Sequence, residues 1–442
     1  MNPPMPAQRG HPLYKFENFP VEAEPDPAMS NRHIERQLPR WAELKDVLRF
    51  RAPDFHPVRR RLNAALSIQD LRRIAKKNTP LAVFDYVDGA ACAEVTADRN
   101  RRAFTDVQFM PETLRSVADP DFSSELLGKR IALPLVFAPT GYTRMMHHEG
   151  EIAVARVAAR SGLPYTLSTV GTSSVEEVQE AAPTGENWFQ LYLTNNEALN
   201  ADLVGRALAA GFTTVVLTVD TPIAGHHLKD MRNGLTMPPA LSLKTFFDMA
   251  RYPQWCFNKL TTPSIGFASL REFPGTSVDV AKILFEPGLN FDHLAWLRRT
   301  WPHNLLVKGI LDTEDAKKVM EMGADGVVVS NHGGRQLDRT PATLRVLPAI
   351  REAVGPEATV LLDSGITHGQ DIIAARALGA DAVMIGRAYL YGLMAGGEPG
   401  VQRAIEILKA EYRQGLQLLG LRATEQIRRQ HIYDDRQLTE LT

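Results

Sequence analysis

The chain has 442 residues with 50 Lys and Arg against 51 Asp and Glu, a formal net charge of -1. That balance leaves no electrostatic footprint for nucleic acid. Two cysteines, Cys92 and Cys256, exclude a disulfide scaffold or a Cys-type zinc site and suit a reducing compartment.

The N-terminus, MNPPMPAQRGHPLYKFENF, lacks the apolar core of a secretory signal. No apolar run of about 18 residues occurs, so no membrane-spanning helix is expected, and the expected location is the cytoplasm. Peripheral attachment at the inner face of a membrane stays open. Residues 1–60 read as an extended arm, rich in Pro, Glu and Arg at its start. Residues 61–442 read as the catalytic domain. At Ser67, SIQDLRRIAKK carries a helix-start signal and apolar residues at helical spacing.

From Leu133 onward, apolar runs alternate with amphipathic ones. The predicted strands are LPLVFAP from Leu133, PYTLST from Pro164, NWFQLYL from Asn187 and TTVVLTVD from Thr213. NLLVKGI from Asn304, GVVVSN from Gly326, ATVLLDSG from Ala358 and DAVMIGRA from Asp381 complete a set of eight. Nearly continuous apolar strands between amphipathic helices imply a parallel sheet covered by helices. Eight such units argue for a closed (β/α)8 TIM barrel with an N-terminal extension. A doubly wound open sheet is weaker, because no Gly-x-Gly-x-x-Gly turn follows the first strand. A long insertion follows the fourth strand, at 230–300, and carries Phe246, Phe247, Trp255 and Phe257 among Lys and Arg. Connections this long are usually functional, and this one would lie over the face where barrels place their chemistry.

Polar residues recur at the carboxyl ends of the strands. Thr140 and Gly141 follow the first, and Ser168 ends the second. Gln190 and Tyr192 lie in the third, Thr218 and Asp220 in the fourth, Lys308 in the fifth. The segment SNHGGRQLD, Ser330 to Asp338, brings His332 and Arg335 to the sixth. It offers an imidazole for proton transfer, a guanidinium, and glycines that permit close backbone approach. Asp363 and Gly365 end the seventh strand, Gly386 and Arg387 the eighth. Loops at those two positions in barrels bind phosphate through backbone N–H groups, with a cation alongside. A phosphate-bearing cofactor, a phosphorylated substrate and plain turn glycines all fit that pattern.

Taken together these motifs resemble the FMN-dependent 2-hydroxy acid oxidase and dehydrogenase family. SNHGGRQLD is the signature, joined in order by FDYVDGA, APTGYTRMMHHEGE, LST, FQLY, LTVDTP, LVKG, LLDSG and IGRA. The similarity covers about residues 60 to 430 and runs closest to bacterial members of L-lactate dehydrogenase type, which share the RNGLT insertion motif. The resemblance implies FMN as cofactor, a homotetramer, and electrons passed to a quinone or cytochrome. It makes His332 the base, oriented by Asp220, with Tyr192 on the substrate oxygen. It gives Tyr86 and Arg335 the substrate carboxylate, and Lys308 the flavin N1–O2 edge. It assigns Thr140, Ser168, Gln190 and Thr218 to the flavin ring, Asp363 to the ribityl chain, and Gly365, Gly386 and Arg387 to the phosphate. Gly141 stands where several dehydrogenases have Gly and oxidases tend to have Ala. No metal is implied.

One departure bears on substrate. The family places a second carboxylate-binding Arg seven residues beyond the fourth-strand Asp, where DTPIAGHHLKD puts His227. Arg offers a permanent charge and a bidentate fork; His titrates near neutrality. The change fits weaker carboxylate binding, with His226 or Lys229 compensating, or a neutral hydroxy carbonyl substrate such as a lactone, ester or amide. A second departure is DGAA, Asp88 to Ala91, where close relatives have two glycines, a change expected only to alter packing. Val170, at the specificity position after LST, leaves room for a substrate side chain larger than hydrogen. A third reading, an FMN-binding scaffold without catalysis, is disfavoured by retention of Tyr86, Tyr192, Asp220, His332 and Arg335.

Overall fold

In the computed structural model, residues 55–235, 243–270 and 287–433 are described continuously, with a few residues before them. Most of the expected arm, most of RNGLT-PPALSL after Leu235 and residues 271–286 of the insertion lie outside the described residues. A helix, Pro57–Asn63, spans the expected start of the catalytic domain.

A short hairpin of β1 (Ser124–Leu126) and β2 (Lys129–Ile131) precedes the barrel. Its strands are β3 (Leu135–Phe137), β4 (Tyr165–Ser168), β5 (Asn187–Leu191) and β6 (Thr214–Thr218). They continue as β7 (Asn304–Ile310), β8 (Gly326–Val329), β9 (Thr359–Leu362) and β10 (Ala382–Ile385). The sheet is closed, β10 returning to β3 through Val383 opposite Leu135. All eight pairings are parallel. Each strand coincides with one apolar run of the sequence, so the (β/α)8 barrel is the fold.

The runs are apolar throughout because both faces of each strand are covered. Side chains alternate across the sheet. In β6, Val215 and Leu217 belong to the layer under the helices, and Val216 points to the interior. The interior cluster is a filled core of Val136, Trp188, Val216, Leu306, Val328 and Leu361, which Leu126 and Ile131 of the hairpin join. The hairpin leads straight into β3, so it plugs the end from which the strands start. The other end is left for polar residues.

Helices from the N-terminal segment roof that second end. Ile68–Asn78 starts where Ser67 predicts, with a capping box in which Ser67 and Asp70 satisfy each other's backbone N–H groups. Leu81–Asp88 and Val95–Thr105 follow and reach over the barrel mouth. Asn100 of the latter exchanges amide hydrogen bonds of 2.8 and 2.9 Å with Asn331, tying the roof to the loop after β8. Within the insertion, Leu243–Ala250 and Pro253–Leu260 are helical. Phe246, Phe247 and Phe257 are exposed there. Trp255, expected among them, instead packs on the core and donates its indole N–H to the Met145 carbonyl at 3.0 Å.

Candidate active site

A cavity of about 1060 Å³ opens at the carboxyl ends of the strands, beneath the roof helices. Of the residues expected at the site, all except Asp220 line it, from Tyr86 through Thr140, Gly141, Ser168, Gln190, Tyr192, Thr218, His227 and Lys308. His332, Arg335, Asp363, Gly365, Gly386 and Arg387 complete the wall. Asp220 stands behind His332.

His332 adopts a left-handed backbone conformation, φ 57°. A non-glycine residue pays for that geometry elsewhere, and here Ser330 Oγ accepts the His332 N–H at 3.0 Å. The turn presents the imidazole to Asp220, whose Oδ1 lies 2.9 Å from Nδ1. A carboxylate accepts, so Nδ1 carries the proton and Nε2 keeps its lone pair. Burial alone would raise the Asp220 carboxyl; the attraction of His332 when protonated, the Lys308 ammonium and the hydrogen bond from His332 reverse that and hold it below the ordinary range. Its negative charge therefore stands ready to stabilise a proton arriving on His332.

Lys308 is buried, donates to Ser330 Oγ at 2.9 Å and lies 3.1 Å from Asp363 Oδ2. Burial would strip its proton, but Asp363 and Asp220 hold its pKa above the usual lysine value. A permanent cation thus sits in the cavity floor. Asp363, expected toward a ribityl chain, is also this lysine's counter-ion and accepts from Ser364 Oγ at 2.6 Å. Burial pushes the phenols of Tyr86 and Tyr192 up, so both remain hydrogen-bond donors at neutral pH.

Arg335 sends Nη1 to the carbonyls of Tyr86 and Gly89, at 2.6 and 3.1 Å, with its guanidinium carbon 5.0 Å from the Tyr86 ring centroid. These bonds fix the planar fork while leaving other N–H groups for a ligand. His227 is held differently. Its Nε2 lies 2.8 Å from the Arg335 carbonyl and its Nδ1 3.4 Å from Asp230 Oδ2. Both nitrogens face protein acceptors, so the imidazole braces the Arg335 loop at the cavity wall.

The remaining wall suits a large planar polar ligand. Gln190 accepts from Ser168 Oγ at 3.0 Å through Oε1, while its Nε2 is buried without a partner among the described residues. Thr218 Oγ1 is likewise buried and unpartnered. Leaving such groups unsatisfied costs about 1–3 kcal/mol each, and ligand atoms at the cavity floor remove that cost. At the far end, Gly365 has φ 111°, and a Cβ there would come within 3.2 Å of the Asn100 backbone. Arg387 is half-buried and donates to the carbonyls of Val87, Gly333 and Gly89 at 3.0, 2.9 and 2.8 Å. That engagement with the roof was invisible in the sequence, as was Arg101, a further cation on the same wall. Its stretch, RNRR, reads as an exposed helix face, and nothing local marks it as facing a cavity.

A polarised imidazole beside a buried cation, at the mouth of a barrel whose floor fits a planar polar cofactor, defines an oxidoreductase site of the flavin-dependent barrel class. Comparison with known proteins makes this specific. The family model described as FMN-dependent dehydrogenase matches residues 75–434. A Mycobacterium tuberculosis protein provisionally assigned as an L-lactate dehydrogenase is 48% identical over 405 residues, covering 92% of this chain and 98% of that protein. The L-lactate dehydrogenase of Caulobacter vibrioides is 41% identical over 367 residues, 80% of this chain and 94% of its own. Among solved structures, the monotopic membrane protein (S)-mandelate dehydrogenase superposes with a TM-score of 0.81 at 35% identity, covering 84% of this chain and 100% of its own. The chain belongs to the FMN-dependent 2-hydroxy acid dehydrogenase family and uses FMN.

Proposed function

We propose that the chain oxidises an L-2-hydroxy acid of lactate type to the 2-oxo acid and passes the electrons to a quinone or cytochrome. The observation that carries this is the 2.9 Å contact of His332 Nδ1 with Asp220, which leaves Nε2 basic and facing the cavity that Arg335 also lines. In this reading Arg335 and Tyr86 bind the substrate carboxylate and Tyr192 hydrogen-bonds its 2-oxygen. His332 Nε2 takes one proton, and Asp220 stabilises the imidazolium. FMN, when bound, supplies the two-electron acceptor for the substrate carbon. Thr140, Ser168, Gln190 and Thr218 would hold its ring, Lys308 would supply positive charge at the N1–O2 edge, and Asp363 would bind the ribityl chain. Gly365, Gly386 and Arg387 would hold the phosphate. The names of the relatives support a lactate-like substrate.

We place the working enzyme as a homotetramer in the cytoplasm, docked peripherally on the inner face of a membrane. No helix among the described residues is long and apolar enough to cross one. Phe246, Phe247, Phe257 and Leu260 are exposed on the insertion helices, a composition suited to interfacial docking, and the mandelate dehydrogenase relative is monotopic. Anaerobic mixing with L-lactate, D-lactate, longer L-2-hydroxy acids and their neutral esters tests the substrate class. Bleaching of the flavin by the L-acids is expected; bleaching by the esters alone would overturn the assignment.

A further inference from the structure

The phosphate end of the cavity poses a question of charge. A phosphate monoester carries about 1.5 to 2 negative charges at neutral pH. Most cations on the cavity wall are already committed. Arg72 makes a two-pronged pair with Asp88 at 2.5 and 2.8 Å. Lys229 is 2.9 Å from Glu94, and Lys308 pairs with Asp363. Arg387, the cation expected at this end, spends three of its N–H groups on main-chain carbonyls.

Arg101 differs. Its partner is Asp98, one turn earlier on the same helix, and both side chains are 53% exposed. An exposed pair at this spacing contributes little and opens readily. The position is nonetheless fixed, because the preceding residue, Asn100, is locked to Asn331 by its amide pair. The Asn100 backbone also packs so closely on Gly365 that a Cβ there would lie 3.2 Å away. Arg101 therefore hangs a guanidinium in an exposed ion pair from a rigid helix beside the Gly365 loop, on the cavity wall. Its charge reaches Arg387, whose pKa is depressed chiefly by burial, raised in part by Tyr391 and Asp88, and pushed down again by the Arg335 and Arg101 guanidiniums. An anion between Arg387 and Arg101 relieves that repulsion.

We propose that Arg101 swings from Asp98 onto the phosphate of FMN and closes the cavity over it. This rests on the reading that the phosphate lies at Gly365, Gly386 and Arg387. The exchange trades an exposed carboxylate partner for a buried dianion, where a charge-assisted bond is stronger.

The test compares FMN with riboflavin, which lacks the phosphate, on the full-length protein, using flavin fluorescence to follow release from the holoenzyme and rebinding by exchange. Wild type should hold FMN far more tightly than riboflavin. Arg101→Ala should weaken FMN about 10- to 100-fold, the range for one charge-assisted hydrogen bond, and leave riboflavin unchanged. Arg101→Lys should recover part of the loss, and Asp98→Asn should slow FMN release. Unchanged FMN affinity in Arg101→Ala, or equal weakening of FMN and riboflavin, would overturn the role of Arg101. Equal affinity of wild type for the two flavins would instead overturn the placement of the phosphate, and with it the proposal.

Discussion

Replacing Asp220 by Asn isolates one effect, the negative charge behind the base. Asn is nearly isosteric, and its Oδ1 can still accept the His332 Nδ1–H now bonded at 2.9 Å. The orientation of the ring is kept, and only the attraction between carboxylate and incoming proton is lost. Two unit charges about 4 Å apart attract by about 4 kcal/mol at an effective dielectric of about 20. With the proton about half transferred in the transition state, about 2 kcal/mol of stabilisation disappears. At about 1.4 kcal/mol per tenfold, flavin reduction should slow about 30-fold. Asp220 does not line the cavity, so flavin affinity should stay within about twofold of wild type. Anaerobic stopped-flow absorbance at saturating substrate gives the reduction rate, and flavin fluorescence gives the affinity. Reduction at the wild-type rate with flavin fully bound would refute the reasoning.

Three further outcomes follow from particular contacts. His227→Arg should gain about 1.5–3 kcal/mol from a charged bond to a substrate carboxylate, less about 0.5–1.5 kcal/mol for the lost bond to the Arg335 carbonyl. The net, about 0–2.5 kcal/mol and centred near 1.25 kcal/mol, tightens an L-2-hydroxy acid about 8-fold and weakens its neutral ester, as read from substrate dependence of reduction; tighter binding of the ester would favour a neutral substrate. Gly141→Ala places a Cβ 2.6 Å from Val170 Cγ2, so it should destabilise the protein by about 1–3 kcal/mol, and Val170→Ala should restore the thermal midpoint; a single mutant as stable as wild type would show that the wall yields freely. Phe246→Ser with Phe247→Ser should abolish sedimentation with anionic liposomes at low salt while leaving flavin reduction intact, and unchanged sedimentation would exclude these aromatics as the docking surface.

The barrel was legible because its strands are buried on both faces, which makes each one a continuous apolar run. Ser67 announced its helix through a local capping pattern. Around His332 the chemistry was legible because SNHGGRQLD places the imidazole, the turn glycines and the guanidinium within one loop. Features that depend on distant segments were not. Arg387 looks like a free cation after β10, yet the helix Leu81–Asp88 and the glycine beyond it bring the Val87 and Gly89 carbonyls to its guanidinium. His227 looks like a substitute for an arginine, yet Arg335 and Asp230 face both its nitrogens. Trp255 looks like one of an exposed aromatic set, yet its indole finds the Met145 carbonyl. Pattern and propensity fix which face is buried; they do not say which side chain a polar group meets across the fold.

His332 is the proposed base on which every other role at the site depends. Its test is the anaerobic rate of flavin reduction by an L-2-hydroxy acid in wild type and in His332→Ala, each with FMN bound. A positioned general base contributes about 10²- to 10⁴-fold, so the variant should keep its flavin spectrum and lose reduction by that factor. A variant that bleaches at a rate near wild type would contradict the assignment and place the base elsewhere on the cavity wall.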